Sequence, residues 1–228
     1  MKILSIGDIH GRNIWKKINF AEYDKVIFLG DYLDAHRLSN LEILNNLEEL
    51  VNLGNTYSNV VFLIGNHDLQ YTHEDFAFLV SGYRESYQKE AAELLTQLNW
   101  QFAVEFDDVL YTHAGLLKKF YKTIAHNDKK ISEAINKAGF TDPLNFLTTV
   151  HPMRGGNFEA SSPIWCDFRE LLLEQESMSI NQVFGHSARE GGMIDRKNGF
   201  WRICIDVLTK SNQAYEIEDG NFPAVIPL

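Results

Sequence analysis

Five short clusters in this chain carry residue types that hold divalent metal ions. They are Gly7-Asp8-Ile9-His10-Gly11, Gly30-Asp31-Tyr32-Leu33-Asp34, Gly65-Asn66-His67-Asp68, Thr112-His113-Ala114-Gly115 and Gly185-His186-Ser187. Each follows a short β-rich run. An Asp and a His two apart at the end of a strand point to the same side of the backbone, so Asp8 and His10 can reach one ion. Asp8, His10, Asp31, Asn66, His113 and His186 together supply two carboxylates, one amide oxygen and three imidazoles. That mixture suits manganese, iron or zinc, and two ions sharing a carboxylate would use it fully. Two ions about 3.5 to 4 Å apart can activate a water and clamp a phosphoryl group for in-line displacement, so no nucleophilic side chain is required.

The elements that position these clusters follow from periodicity. Residues 2–6, 25–29 and 59–64 are apolar and rich in branched side chains, as expected of parallel strands. Between them, residues 13–18 suit a short helix, and Leu41, Ile43, Leu44, Leu47, Leu50, Val51 and Leu53 make a longer helical stripe capped by Ser39 or Asn40. Residues 74–98 turn helical, with their aromatics expected to pack in the core or as a lid. Residues 101–106 and 108–112 read as two strands joined by an acidic turn that begin a second sheet. Helices are expected over 116–125 and 129–138, the second stopped by Gly139. The stretch His151-Pro-Met-Arg-Gly-Gly-Asn157 reads as a loop, and 182–184, 200–206 and 214–217 as closing strands. In an α/β sheet such polar clusters gather at the carboxyl ends of the strands. No repeat or linker interrupts the 228 residues, which are expected to form one domain.

Composition narrows the class. Hydrophobic residues make up 45% of the chain, enough for a substantial core, and no apolar run approaches the roughly eighteen residues of a membrane helix. No export signal follows Met1-Lys2, so a cytoplasmic protein is expected. Cys166 and Cys204 are too few for a thiolate zinc site and read as buried reduced thiols. A formal charge of −10 disfavours nucleic acid as partner without excluding a phosphorylated substrate, because bound metals add local positive charge.

The five clusters, in this order, resemble the blocks of the calcineurin-like metallophosphoesterases. They are most similar to the branch of serine/threonine phosphoprotein phosphatases and diadenosine tetraphosphatases, because the first block continues into Gly11 and the last lacks a second histidine two residues on. Pro163-Ile164-Trp165-Cys166-Asp167 resembles the Leu-Trp-x-Asp block of that branch. The resemblance implies an α/β (α+β) four-layer sandwich of two mixed sheets packed face to face and flanked by helices. It implies that Asp8 and His10 hold a first metal, that Asp31 bridges, and that Asn66, His113 and His186 hold a second. It further implies that His67 stays off the metals and protonates the leaving oxygen, oriented by Asp34. A neighbouring carboxylate raises an imidazole's pKa, which agrees with that role. Asp68 is expected to stabilise the turn after the third strand.

One departure stands out. The branch continues Gly-Asp-x-x-Asp with Arg-Gly, whereas Asp34 here is followed by Ala35-His36-Arg37. The phosphate-clamping arginine is therefore expected elsewhere, at Arg37 or, ahead of it, at Arg154 in its Gly-rich loop. His36, His73, His126 and His151 are expected to be surface or satisfied core residues. The function expected is hydrolysis of phosphate monoesters, with manganese as the activating ion. The alternatives are a dinucleoside polyphosphate hydrolase and a catalytically silent metal-binding scaffold, the latter disfavoured by the presence of His67 and Asp34.

Overall fold

The computed structural model describes residues 1–125 and 128–228. Its strands fall where branched and aromatic residues run together: β1 (Lys2–Ile6), β2 (Lys25–Phe28), β3 (Val60–Phe62), β4 (Ala103–Phe106), β5 (Val109–Thr112), β6 (Asn181–Phe184), β7 (Met193–Lys197), β8 (Phe200–Cys204), β9 (Gln213–Glu218) and β10 (Ala224–Pro227). They build two five-stranded mixed sheets, ordered β10-β9-β1-β2-β3 and β4-β5-β6-β8-β7. In the first, β1, β2 and β3 are parallel, and β9 and β10 join antiparallel. In the second, β5, β6 and β8 are parallel, with antiparallel edges at β4 and β7.

The helices are α1 (Asn40–Thr56), α2 (Asn66–Leu69), α3 (Gln88–Gln97), α4 (Lys118–Ile124), α5 (Ile131–Thr141), α6 (Pro143–Thr148), α7 (Phe168–Leu173) and α8 (Leu208–Ser211). Ser39 caps α1 in a reciprocal capping box with Glu42. Alternation along each strand divides the core into layers. Ile3 and Ile27 meet Val109, Val183 and Ile203 between the sheets. Leu4, Val26 and Phe28 turn outward onto Leu47, Leu50 and Leu95, while Leu110 and Phe184 turn outward onto Phe120, Phe146 and Leu171. The result is the expected four-layer sandwich. No helix among the described residues is long and apolar enough to cross a membrane.

Several local expectations are corrected. Residues 74–98 are not one helix: two single 3-10 turns precede α3, and Phe78 and Gly82 adopt φ of 63° and 85°. Tertiary contacts override the local pattern there, because Gln70 Oε1 takes the Val80 N–H and the Tyr71 hydroxyl takes the Arg84 N–H. Residues 14–17 form only a 3-10 turn. Gly139 lies inside α5 rather than ending it, since the Phe102 ring packs where a Cβ would stand. The edge strands β7 and β10 were not anticipated: β7 ends in the polar run Asp195-Arg196-Lys197, and β10, though apolar, ends in Pro227. The acidic turn at Asp107 and Asp108 closes the β4-β5 hairpin with positive φ at both residues, as a tight hairpin requires.

Candidate active site

The carboxyl ends of β1, β2, β3, β5, β6 and β8 converge on one edge of the sandwich, and the loops leaving them are tied together. The His10 N–H donates to the Asp31 carbonyl at 2.6 Å and the Gly11 N–H to that of Tyr32 at 2.9 Å. The Asp68 carboxylate accepts N–H groups of Tyr32, Leu33 and Gly65, which locks the second loop onto the third. His10, Asp31, Asp34 and His186 all have positive φ, between 42° and 69°. Such backbone costs on the order of 1–3 kcal/mol per residue and persists where its surroundings over-determine it. Two glycines make room for ligand oxygens: a Cβ on Gly65 would collide with Asp31 Oδ1, and one on Gly185 with Asp8 Oδ1.

The six sequence-derived donors come together here. Asp8, His10 and Asp31 each offer an atom, all within 4.8 Å of one another, and so do Asp31, His113 and His186. Asp31 belongs to both groups. Asn66 Oδ1 completes the second at 3.1 Å from His113 Nε2.

The tautomers show that this set fits metal ions. His10 Nδ1 lies 2.7 Å from the Leu33 carbonyl and His113 Nδ1 lies 2.8 Å from that of Leu29. A carbonyl only accepts, so each Nδ1 carries the hydrogen and each neutral ring turns an Nε2 lone pair to the site. Those lone pairs face Asp31 at 3.6 and 3.5 Å. His113 Nε2 also faces Asn66 Oδ1. Acceptor against acceptor is repulsive unless a cation lies between. Burial pushes His10 down to about 4, lowers His113 and drives His186 well down, so the rings are neutral near pH 7. His186 Nε2 and Asn66 Nδ2 are buried without a hydrogen-bond partner among the described residues. Burial works to raise Asp31, but His113, His67 and His10 outweigh it and hold the carboxyl well below its ordinary range.

Beside the donors, His67 Nδ1 lies 3.0 Å from Asp34 Oδ2. Asp34 is pinned from three further directions: Gln70 Nε2 donates to Oδ2 at 2.7 Å, and the Tyr71 and Tyr87 hydroxyls donate to Oδ1 at 2.6 and 2.8 Å. Burial opposes protonation of His67, yet Asp31 and Asp34 raise it to about 9. The ring meets His10 edge-on, with centroids 5.3 Å apart. A charged imidazole with one protected nitrogen and a partly exposed ring can donate a proton.

The two arginines separate. Arg154 reaches the site, with Nη2 3.0 Å from Ser187 Oγ and 3.3 Å from the His186 carbonyl, and Nε 2.9 Å from Asp167 Oδ2. Arg37 is exposed and makes no ion pair among the described residues. Its loop is held from beneath by Arg84, whose guanidinium donates to the carbonyls of Ala35 and Leu38 and to Asn40 Oδ1. His36 and His73 are exposed, His151 caps a 3-10 turn through Nδ1, and His126 lies outside the described residues. Cys166 and Cys204 are buried free thiols.

Sequence reasoning gave no role to Asp206, which follows β8 and lies against Asp8. Burial, then Asp31, pushes it up to about 6; burial, then Asp206, raises Asp8. An aspartate directly after a β-rich run is the signal that marked Asp8 and Asp31, and Asp206 carries it too. Gln70, Tyr71 and Tyr87 were also missed, and nothing in their spacing marks them.

A family model for calcineurin-like phosphoesterases matches residues 1–193, and the chain belongs to that family. It is thus a hydrolase acting on phosphate esters. No curated protein matches the chain. Among solved structures, a cold-active protein-tyrosine phosphatase of a psychrophilic Shewanella species superposes with a TM-score of 0.63 at 18% identity, over 98% of this chain and 80% of the other. A putative diadenosine tetraphosphatase superposes with a TM-score of 0.52 at 16% identity, over 99% and 93%. These likenesses are of fold.

Proposed function

We propose that residues 1–228 act as one cytoplasmic domain that hydrolyses phosphate monoesters with two divalent ions, manganese being the activating one. The observation that carries this reading is the membership of Asp31 in both donor groups. Asp8, His10 and Asp31 would hold one ion, and Asp31, Asn66, His113 and His186 the other. When bound, the ions supply positive charge to the phosphoryl oxygens and activate the attacking water. The protein's own part is positioning and proton transfer. Arg154, anchored beside His186, offers its guanidinium to a phosphoryl oxygen. His67 donates the proton that the leaving oxygen needs, and Asp34 fixes its ring and supports its charge. Asn66 Nδ2, buried without a partner among the described residues, is a further donor that a phosphoryl oxygen could use. Two buried free thiols agree with a reducing compartment.

Metal analysis of protein purified without chelator, followed by phenyl phosphate turnover with added manganese, iron or zinc, tests this reading. Two ions per chain and manganese-stimulated release of phosphate are expected. Metal bound without turnover would favour the scaffold alternative, and absence of both metal and turnover would overturn the reading.

A further inference from the structure

Beside His186 lies a cavity of about 340 Å³ lined by Arg154, Asp167, Arg169, Ser187 and Arg189. Its charge runs against that of the molecule. The chain carries a formal −10, yet three guanidinium groups and one carboxylate line this cavity, leaving net positive charge. Asp167 does not consume the three. Arg169 binds it side-on, with Nε 2.8 Å from Oδ1 and Nη2 3.0 Å from Oδ2, and Arg154 touches Oδ2 from the other side. Asp167 also caps α7 through the Arg169 N–H, so one buried carboxylate fixes the Arg169 guanidinium at the start of a helix and stands at ion-pair distance from Arg154. Arg189 closes the rim, its backbone N–H bound to the Asp206 carbonyl and its side chain exposed. The cluster begins at a carbonyl of the donor His186 and opens to solvent at Arg169, whose side chain is 56% exposed.

We propose that Arg169 and Arg189, continuing outward from Arg154, form a second anion subsite, and that the substrates are phosphate monoesters whose leaving group bears a further phosphate or carboxylate. This rests on the phosphatase reading. A monoester carries everything beyond its phosphoryl group on the leaving side, so a second negative charge belongs there. Guanidinium groups recognise phosphate and carboxylate alike, by paired N–H donors. Arg154 at the inner end is shared between the two anions, which sets their separation to a few ångströms.

The test compares phenyl phosphate with 1,4-phenylene bisphosphate and 4-carboxyphenyl phosphate, using the metal-loaded chain and the R169Q, R189Q and R169Q/R189Q variants. The double variant is expected to raise KM for the bisphosphate about tenfold, the order expected for losing charge-assisted contacts. Its kcat, and both constants for phenyl phosphate, should stay within about twofold. The single variants should each give part of the effect, and the two probes with a second anionic group show whether phosphate or carboxylate is preferred. Calorimetric binding of 1,4-benzene bisphosphonate, weakened by the double variant, supplies a readout that needs no turnover. If phenyl phosphate is not hydrolysed with any ion, the phosphatase reading fails while the bisphosphonate binding still reports on the subsite. Equal changes for both classes of substrate, or no change for either, would overturn the subsite.

Discussion

Two carboxylates lie near the proposed metal donors, and their surroundings differ. Asp34 is sealed in the interior and receives four side-chain hydrogen bonds, from His67, Gln70, Tyr71 and Tyr87. Asp167 is nearly as buried but faces two arginines, one of them half in solvent. The first arrangement leaves its imidazole one orientation. The second holds cations on long side chains whose outer ends stay adjustable. Geometry that must not vary suits a proton transfer to one oxygen, whereas a tethered but yielding set of charges suits substrates of differing shape. The proposed metal donors draw on both sheets: Asp8, His10, Asp31 and Asn66 from the first, His113 and His186 from the second.

The largest effect should come from the donor that joins the halves. Asp31→Asn removes the charge common to both groups, and metal affinity should fall by more than about 10²-fold, beyond the usual cost of losing an outer partner. Metal content by elemental analysis should drop and turnover of good and poor leaving groups should vanish together. Retention of both ions would break the assignment.

His67→Asn should separate chemistry from metal binding. Metal content should remain, while kcat for alkyl phosphates falls by about 10² to 10⁴, the contribution of a positioned general acid. Aryl phosphates with acidic leaving groups should lose less, and Asp34→Asn should give a milder form of the same pattern. A raised pKa makes the acid form the one present at neutral pH. For alkyl phosphates kcat should therefore hold through neutrality and fall as pH rises through about 9, where the proton is lost. That limb should be absent from the His67→Asn profile.

A smaller effect sharpens the contrast on the Asp34 side. Tyr71→Phe or Tyr87→Phe removes one of the two hydroxyls on Asp34 Oδ1, and each should cost about 1 kcal/mol in denaturant unfolding. Each should lower kcat for alkyl phosphates several-fold with KM unchanged. Loss of stability without that split would make the tyrosines packing groups only.

How much was legible follows the same divide. The parallel strands and the clusters after them could be read because a buried strand needs a run of branched apolar residues, and each run stops where the backbone turns toward the site. Every metal donor proposed from sequence sits in those turns. Asp206 was visible in principle, since it too follows such a run. The supports of Asp34 were not: Tyr71 and Tyr87 reach it only because residues 74–87 abandon the helix their composition favours, under the pull of contacts made by Gln70 and Tyr71. The loop around Arg154 could be named as a loop, but its docking on Ser187 and Asp167 depends on folding across distant segments.

The pairing of β9 with β1 sets the order in which this protein can be assembled. β1, which delivers Asp8 and His10, is flanked on one side by β2 and on the other by β9, with Lys2 opposite Glu218. During synthesis β1 must wait for β9, far later in the chain, and contacts so far apart in sequence close slowly. His186 and Asp206 also arrive late. The cluster around Asp31 stays incomplete until β6 and β8, which precede His186 and Asp206, have also been made. Stable ion binding by the proposed donors would then report that both sheets have closed.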